Sequence, residues 1–84
     1  MTTIPDWLAR HGGSLKPVAD GPGCYVYFDG QPQYFILPRP AAGKYACEVT
    51  QGINGKRLEK NKTYATAEQA VRGGLDDLRE ALGW

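Results

Sequence analysis

The chain has 84 residues, 42% of them hydrophobic and 23% charged, and carries a net charge of +1. A chain of that length buries only about 60% of the surface its unfolded form exposes, which fits one small domain over residues 1–84 and argues against a second. The longest apolar run, residues 34–37, is strand-sized and far short of the roughly 20 residues of a membrane span, and the near-zero charge speaks against a strongly electrostatic partner of either sign.

The charge is nonetheless uneven, at +3 over residues 1–65 and −2 over residues 66–84. The opening, MTTIPDWLARHGG, has neither the basic nor the apolar region of a secretory signal, so a cytoplasmic chain is expected. Within it, IPDWLARHGG predicts a short helix. Pro5 suits a first turn, Asp6 complements the positive end of the dipole, and Gly12 and Gly13 offer a left-handed stop. Ile4, Trp7 and Leu8 would dock this helix on the main body.

The segment CYVYFDGQPQYFIL sets two β-branched and aromatic runs around Asp29-Gly30, a pair suited to the positive φ angles of a tight hairpin. Strands are predicted at Cys24–Phe28 and at residues 33–37, with Pro38 and Pro40 ending the second. KYACEVTQGINGKRLEK repeats the plan around Asn54-Gly55, giving a third strand at Lys44–Gln51 and a fourth at residues 56–60. In TAEQAVRGGLDDLREALGW, Thr66 and Gln69 have capping-box spacing, and Val71, Leu75, Leu78 and Leu82 fall on one helical face. Gly83 is a natural stop. Gly73 and Gly74 cost a helix about 1 kcal/mol each relative to alanine, which points to close approach of the helix backbone to the sheet.

These elements make an α+β fold: a four-stranded antiparallel meander with a short N-terminal helix and a longer C-terminal helix packed on one sheet face. An even-length loop at Asp29-Gly30 would place Cys24, Val26, Phe28, Phe35 and Leu37 on the core face and Tyr25, Tyr27, Tyr34 and Ile36 on the other. In the second hairpin Tyr45, Cys47, Val49 and Leu58 are expected on the core face.

No constellation for catalysis emerges. Cys24 and Cys47 are separated by 22 residues with no CxxC spacing, and His11 is the single histidine, so neither a metal site nor a cofactor is expected and the thiols read as reduced core residues. His11 falls at a helix end, where an imidazole bonds the last carbonyls. Asp76 and Asp77 are adjacent in the helix and point about 100° apart, so they form no carboxylate pair. DGPG, residues 20–23, lacks the spacing and the following helix of a phosphate loop.

Two surfaces remain as candidate binding sites. Amphipathic aromatics on an uncovered sheet face, here Tyr25, Tyr27, Tyr34 and Ile36, suit a protein partner or a second copy of the chain. The alternative is weak nucleic-acid contact through the sheet and the basic strand residues Lys56, Arg57, Lys60 and Lys62, although edge lysines also serve to block aggregation. Over residues 44–78 the order of strand, NGKRLEK, strand, YATAEQA and helix resembles in outline the N-terminal arm-binding domains of phage-type integrases. That resemblance implies a three-stranded sheet on duplex DNA backed by a helix; the chain departs from the type in having no recombinase domain and a thin basic surface. The expectation is therefore a non-catalytic binding module that needs neither membrane nor metal.

Overall fold

A computed structural model describes residues 4–19, 21 and 23–84, so the start of the chain and part of the DGPG stretch lie outside the described residues. Helix α1 (Asp6–Arg10) is followed by strands β1 (Gly13–Pro17), β2 (Cys24–Phe28), β3 (Gln31–Ala41) and β4 (Lys44–Gln51), and then by helix α2 (Ala67–Leu82). The strands form one antiparallel sheet in the order β1-β2-β3-β4. The four-stranded meander with a helix at each end is thus the expected fold, but its strands are not all the expected ones.

Strand β1 was not anticipated. GSLKP carries Leu15 as its one large apolar residue, too little for an alternating pattern, yet Leu15 pairs with Val26 and packs against the core. At the opposite edge residues 56–60 form no strand. Thr50 and Arg57 make an isolated bridge and Leu58 N donates to Val49 O at 2.8 Å, but there the ladder breaks. Val49 N donates instead to Glu59 Oε1 at 2.8 Å, so a carboxylate stands where the strand's carbonyl would be, and Lys60 N turns away to donate to Asp77 Oδ2 at 2.9 Å. The turn before this segment also differs from a two-residue hairpin. Only Gly55 has positive φ, at 70°, and its N–H reaches Gln51 O, while Asn54 Oδ1 accepts from Lys56 N.

The first hairpin has the expected tight turn, with φ of 54° at Asp29 and 77° at Gly30. Its register then shifts. Phe28 pairs with Gln31 and Tyr27 with Pro32, but Val26 pairs with Tyr34, which leaves Gln33 as the extra residue of a bulge. The Gln33 carbonyl is taken by Gly52 N at 2.8 Å. Because side chains alternate with period two, one inserted residue exchanges the faces of everything beyond it. Tyr34 and Ile36 therefore join Cys24 and Val26 on the core side, and Phe35 and Leu37 turn outward, which reverses the assignment expected from an even loop.

Pro38 and Pro40 do not end β3. Pairing with β2 stops at Ile36, so both prolines lie where β3 has β4 as its only neighbour, and a missing N–H is tolerated there. A second two-residue turn, with φ of 50° at Ala42 and 82° at Gly43, then leads into β4.

Helix α2 starts and stops as its sequence predicts. Thr66 Oγ1 accepts from Gln69 N, while Gln69 Oε1 accepts from Ala65 N, one residue short of the reciprocal capping-box bond. Gly83 is left-handed, with its N–H on Glu80 O and that of Trp84 on Arg79 O, the paired bonds of a Schellman stop. Val71, Leu75 and Leu78 point into the core, and Gly74 lies directly over Cys47, Ile36 and Val49. Trp84 closes the end by stacking on His11, with ring centroids 3.7 Å apart, and by meeting Trp7 and Phe28 at an angle. Trp7 and Leu8 of α1 are buried in the same core, so both helices occupy one side of the sheet.

Candidate functional site

Every second residue of each strand faces away from the helices, and among the described residues no element crosses that side. At its centre lie Tyr25 and Tyr27 of β2 and Phe35 and Leu37 of β3. Tyr25 is 39% exposed, and its ring meets Phe35 with centroids 5.1 Å apart at 33°. Lys16 of β1 places Nζ 4.7 Å from the centre of the Tyr27 ring, a cation–π contact at the stripe's border. Val18 and Leu37 both lie against Gly23, where no larger residue would fit beneath the Ile36 carbonyl. Ile53, at the tip of the 52–55 turn, is 84% exposed and continues the apolar surface past Tyr25 and Phe35.

Of the four residues expected on this face, Tyr25 and Tyr27 are there. Tyr34 and Ile36 are not: Ile36 is fully buried, and Tyr34 packs edge-on against Phe28 at 6.2 Å beneath the sheet. Their places are taken by Phe35 and Leu37, which would lie on the core face if no residue were inserted between Pro32 and Tyr34. Pro32 inside the strand was the available signal, since proline within a ladder commonly accompanies a bulge.

The basic segment is tied down by carboxylates. Arg57 pairs with Glu48 at 2.9 Å and with Glu59 at 2.8 Å, and Glu48 also pairs with Arg39. Partial burial pushes the Glu59 carboxyl up, but the Arg57 guanidinium and the Val49 N–H outweigh it, and the group sits below its ordinary range. Lys60 pairs with Glu80, which raises the lysine and lowers the carboxyl. Lys56 and Lys62 make no ion pair among the described residues. The four cations therefore do not form a continuous strand-borne row.

Neither cysteine is placed for chemistry. Both are free and buried, and burial pushes the Cys24 thiol up to about 11 and the Cys47 thiol up to about 12, the latter with a contribution from Cys24 itself. With β3 between them the two lie about 10 Å apart by strand spacing, beyond the roughly 7 Å Cα separation that a disulfide spans. Asp77 is buried and receives the Lys60 N–H, while Asp76 is exposed, so the adjacent carboxylates have separate surroundings. Among the described residues no three His, Cys, Asp or Glu side chains gather to hold a metal, and no helix is long and apolar enough to cross a membrane. Neither a family model, a curated protein nor a solved structure matches the chain.

Proposed function

We propose that this is a non-catalytic protein-binding module of the cytoplasm that works through its open sheet face. The observation that carries the reading is the aromatic stripe of Tyr25, Tyr27 and Phe35, left uncovered on the side of the sheet opposite both helices. Exposed aromatics backed by a rigid sheet supply large contact area at small cost in side-chain entropy, as binding hot spots do. Two free, buried thiols suit a reducing compartment.

Nucleic-acid binding is the second reading, and the carboxylates weaken it. Arg57 and Lys60 are already paired, which leaves Lys56 and Lys62 to neutralise phosphates from that segment. Each phosphate neutralised contributes a slope of about 0.7 to 0.9 in log affinity against log salt, so two free lysines give contact that physiological salt removes.

Comparing two variants separates the readings. Tyr25→Ser with Phe35→Ser removes the stripe, and Lys56→Glu with Lys62→Glu removes the free cations. Capture of a protein by the immobilised chain, repeated with that protein purified, should be lost in the first variant and kept in the second. Fluorescence titration with labelled DNA and RNA at two salt concentrations completes the comparison: salt-resistant nucleic-acid binding lost in the second variant would replace the proposal.

A further inference from the structure

Asn54-Gly55 is the pair in this chain most open to a reaction that needs no enzyme. When the backbone nitrogen of the residue after an asparagine loses its proton, it attacks the side-chain amide carbon: the N–Cγ bond forms, the Cγ–Nδ2 bond breaks, and the nitrogen leaves as ammonia. Water then opens the five-membered imide at either carbonyl, giving aspartate or isoaspartate. A glycine in second place favours the attack, because no Cβ crowds its nitrogen. The fold requires glycine here. Gly55 has φ of 70°, and nothing lies within 4 Å of where a Cβ would stand, so the backbone conformation alone sets the requirement. Asn61, the other asparagine, precedes Lys62, whose side chain hinders the same attack.

The turn exposes this pair to water and restrains it at the same time. Asn54 and Gly55 are both exposed, but the attacking nitrogen is engaged: Gly55 N–H donates to Gln51 O at 2.8 Å, which holds its proton and fixes its direction. The target is held as well, since Asn54 Oδ1 accepts from Lys56 N at 3.0 Å. Gln51 N donates in turn to Lys56 O at 2.8 Å and closes the turn. Attack requires these bonds to be released. We propose that Asn54 is the chain's site of spontaneous deamidation and that the 51–56 turn gates the reaction by opening locally. Isoaspartate adds one backbone carbon between residues 54 and 55. That displaces the Gly55 N–H from Gln51 O and loosens the bridge of Arg57 to Thr50, so the segment after the turn comes away from β4. Aspartate keeps the main-chain length and the Oδ1 acceptor, and leaves the turn closed.

The full chain is aged in mildly alkaline buffer, folded and in guanidinium, and sampled by peptide mapping with mass spectrometry and an isoaspartate-specific methyltransferase assay. Conversion should fall at Asn54 and run at least tenfold more slowly in the folded chain, the factor that corresponds to an opening free energy of about 1.4 kcal/mol. Thr66→Ala weakens the whole domain through the α2 cap and should leave the folded-state rate unchanged, because the turn opens without global unfolding. The isoaspartyl form, separated chromatographically from the aged protein, should unfold at lower urea than Asn54→Asp, which should unfold with the parent. Equal rates in the folded and unfolded chains overturn the gating. A rise of about fivefold in Thr66→Ala makes global unfolding the route and overturns local opening. Conversion chiefly at Asn61, or none in the unfolded chain, overturns the site. An isoaspartyl form as stable as Asn54→Asp overturns the effect on β4.

Discussion

Gly74→Ala tests how closely α2 approaches the sheet. In an open helix the change stabilises by about 1 kcal/mol, because glycine has more backbone freedom to lose on folding. Here a Cβ would fall inside the contact shell of Cys47 Sγ and 3.2 Å from both Ile36 Cγ2 and Val49 Cγ2, three buried groups on two strands that cannot move independently. Overpacking of that kind costs about 1–3 kcal/mol, so the net expectation is a loss of about 1 kcal/mol, or roughly 4–8 °C in Tm for a domain of this size. Cys47→Ala removes the nearest obstacle. In that background Gly74→Ala should recover most of its ordinary helical gain, giving a coupling of about 1–2 kcal/mol in the double-mutant cycle. Urea unfolding of the parent, both single variants and the double variant, followed by far-UV circular dichroism, supplies the four values. A Gly74→Ala variant more stable than the parent, or a coupling near zero, would refute the close approach.

Three further changes probe the edges of the fold. Glu59→Ala leaves the Val49 N–H without its acceptor and should cost about 1–3 kcal/mol in urea unfolding, while Glu59→Gln, which keeps an accepting oxygen, should cost less than half as much; equal losses would mean that the Arg57 pairs alone matter. Thr66→Ala should cost about 1 kcal/mol by removing the acceptor for Gln69 N, and a variant that melts with the parent would deny the cap its role. The thiols rise from 9.0 to about 11 at Cys24 and about 12 at Cys47, so the folded state keeps protons that the unfolded state sheds. Their stabilisation is complete below the unfolded value and fades as pH climbs towards the folded ones, at a limiting slope of about 1.4 kcal/mol per pH unit for each thiol. Cys47→Ala should therefore lose less stability than the parent between about pH 8 and pH 10, and parallel losses would contradict the burial.

Local chemistry made much of the fold legible. The left-handed pair Asp29-Gly30, the Thr66 cap, the Gly83 stop and the apolar face through Leu75 and Leu78 each act within a few residues, and each appears where its sequence signal lies. The misreadings come from long-range competition. Residues 56–60 have hairpin chemistry, but the Glu59 carboxylate and Asp77, distant in sequence, claim the donors that a regular ladder would use. β1 exists because β2 offers it an edge, and Ala42 adopts φ of 50° because β3 and β4 demand a two-residue turn there. For the candidate site the parity rule placed Tyr25 and Tyr27 correctly and failed one residue past Pro32, where the bulge at Gln33 exchanged Tyr34 and Ile36 for Phe35 and Leu37.

That exchange decides which side chains remain outside for a partner, and equilibrium unfolding of Phe35→Ser beside Ile36→Ser tests it directly. An outward Phe35 contributes mainly its contact with Tyr25, so its replacement should cost no more than about 1.5 kcal/mol. The fully buried Ile36 should cost at least about 3 kcal/mol, since the change opens a cavity and leaves a hydroxyl in it. Losses in that order are the predicted result. The reverse order would put Phe35 in the core and remove the aromatic face on which the proposed function rests.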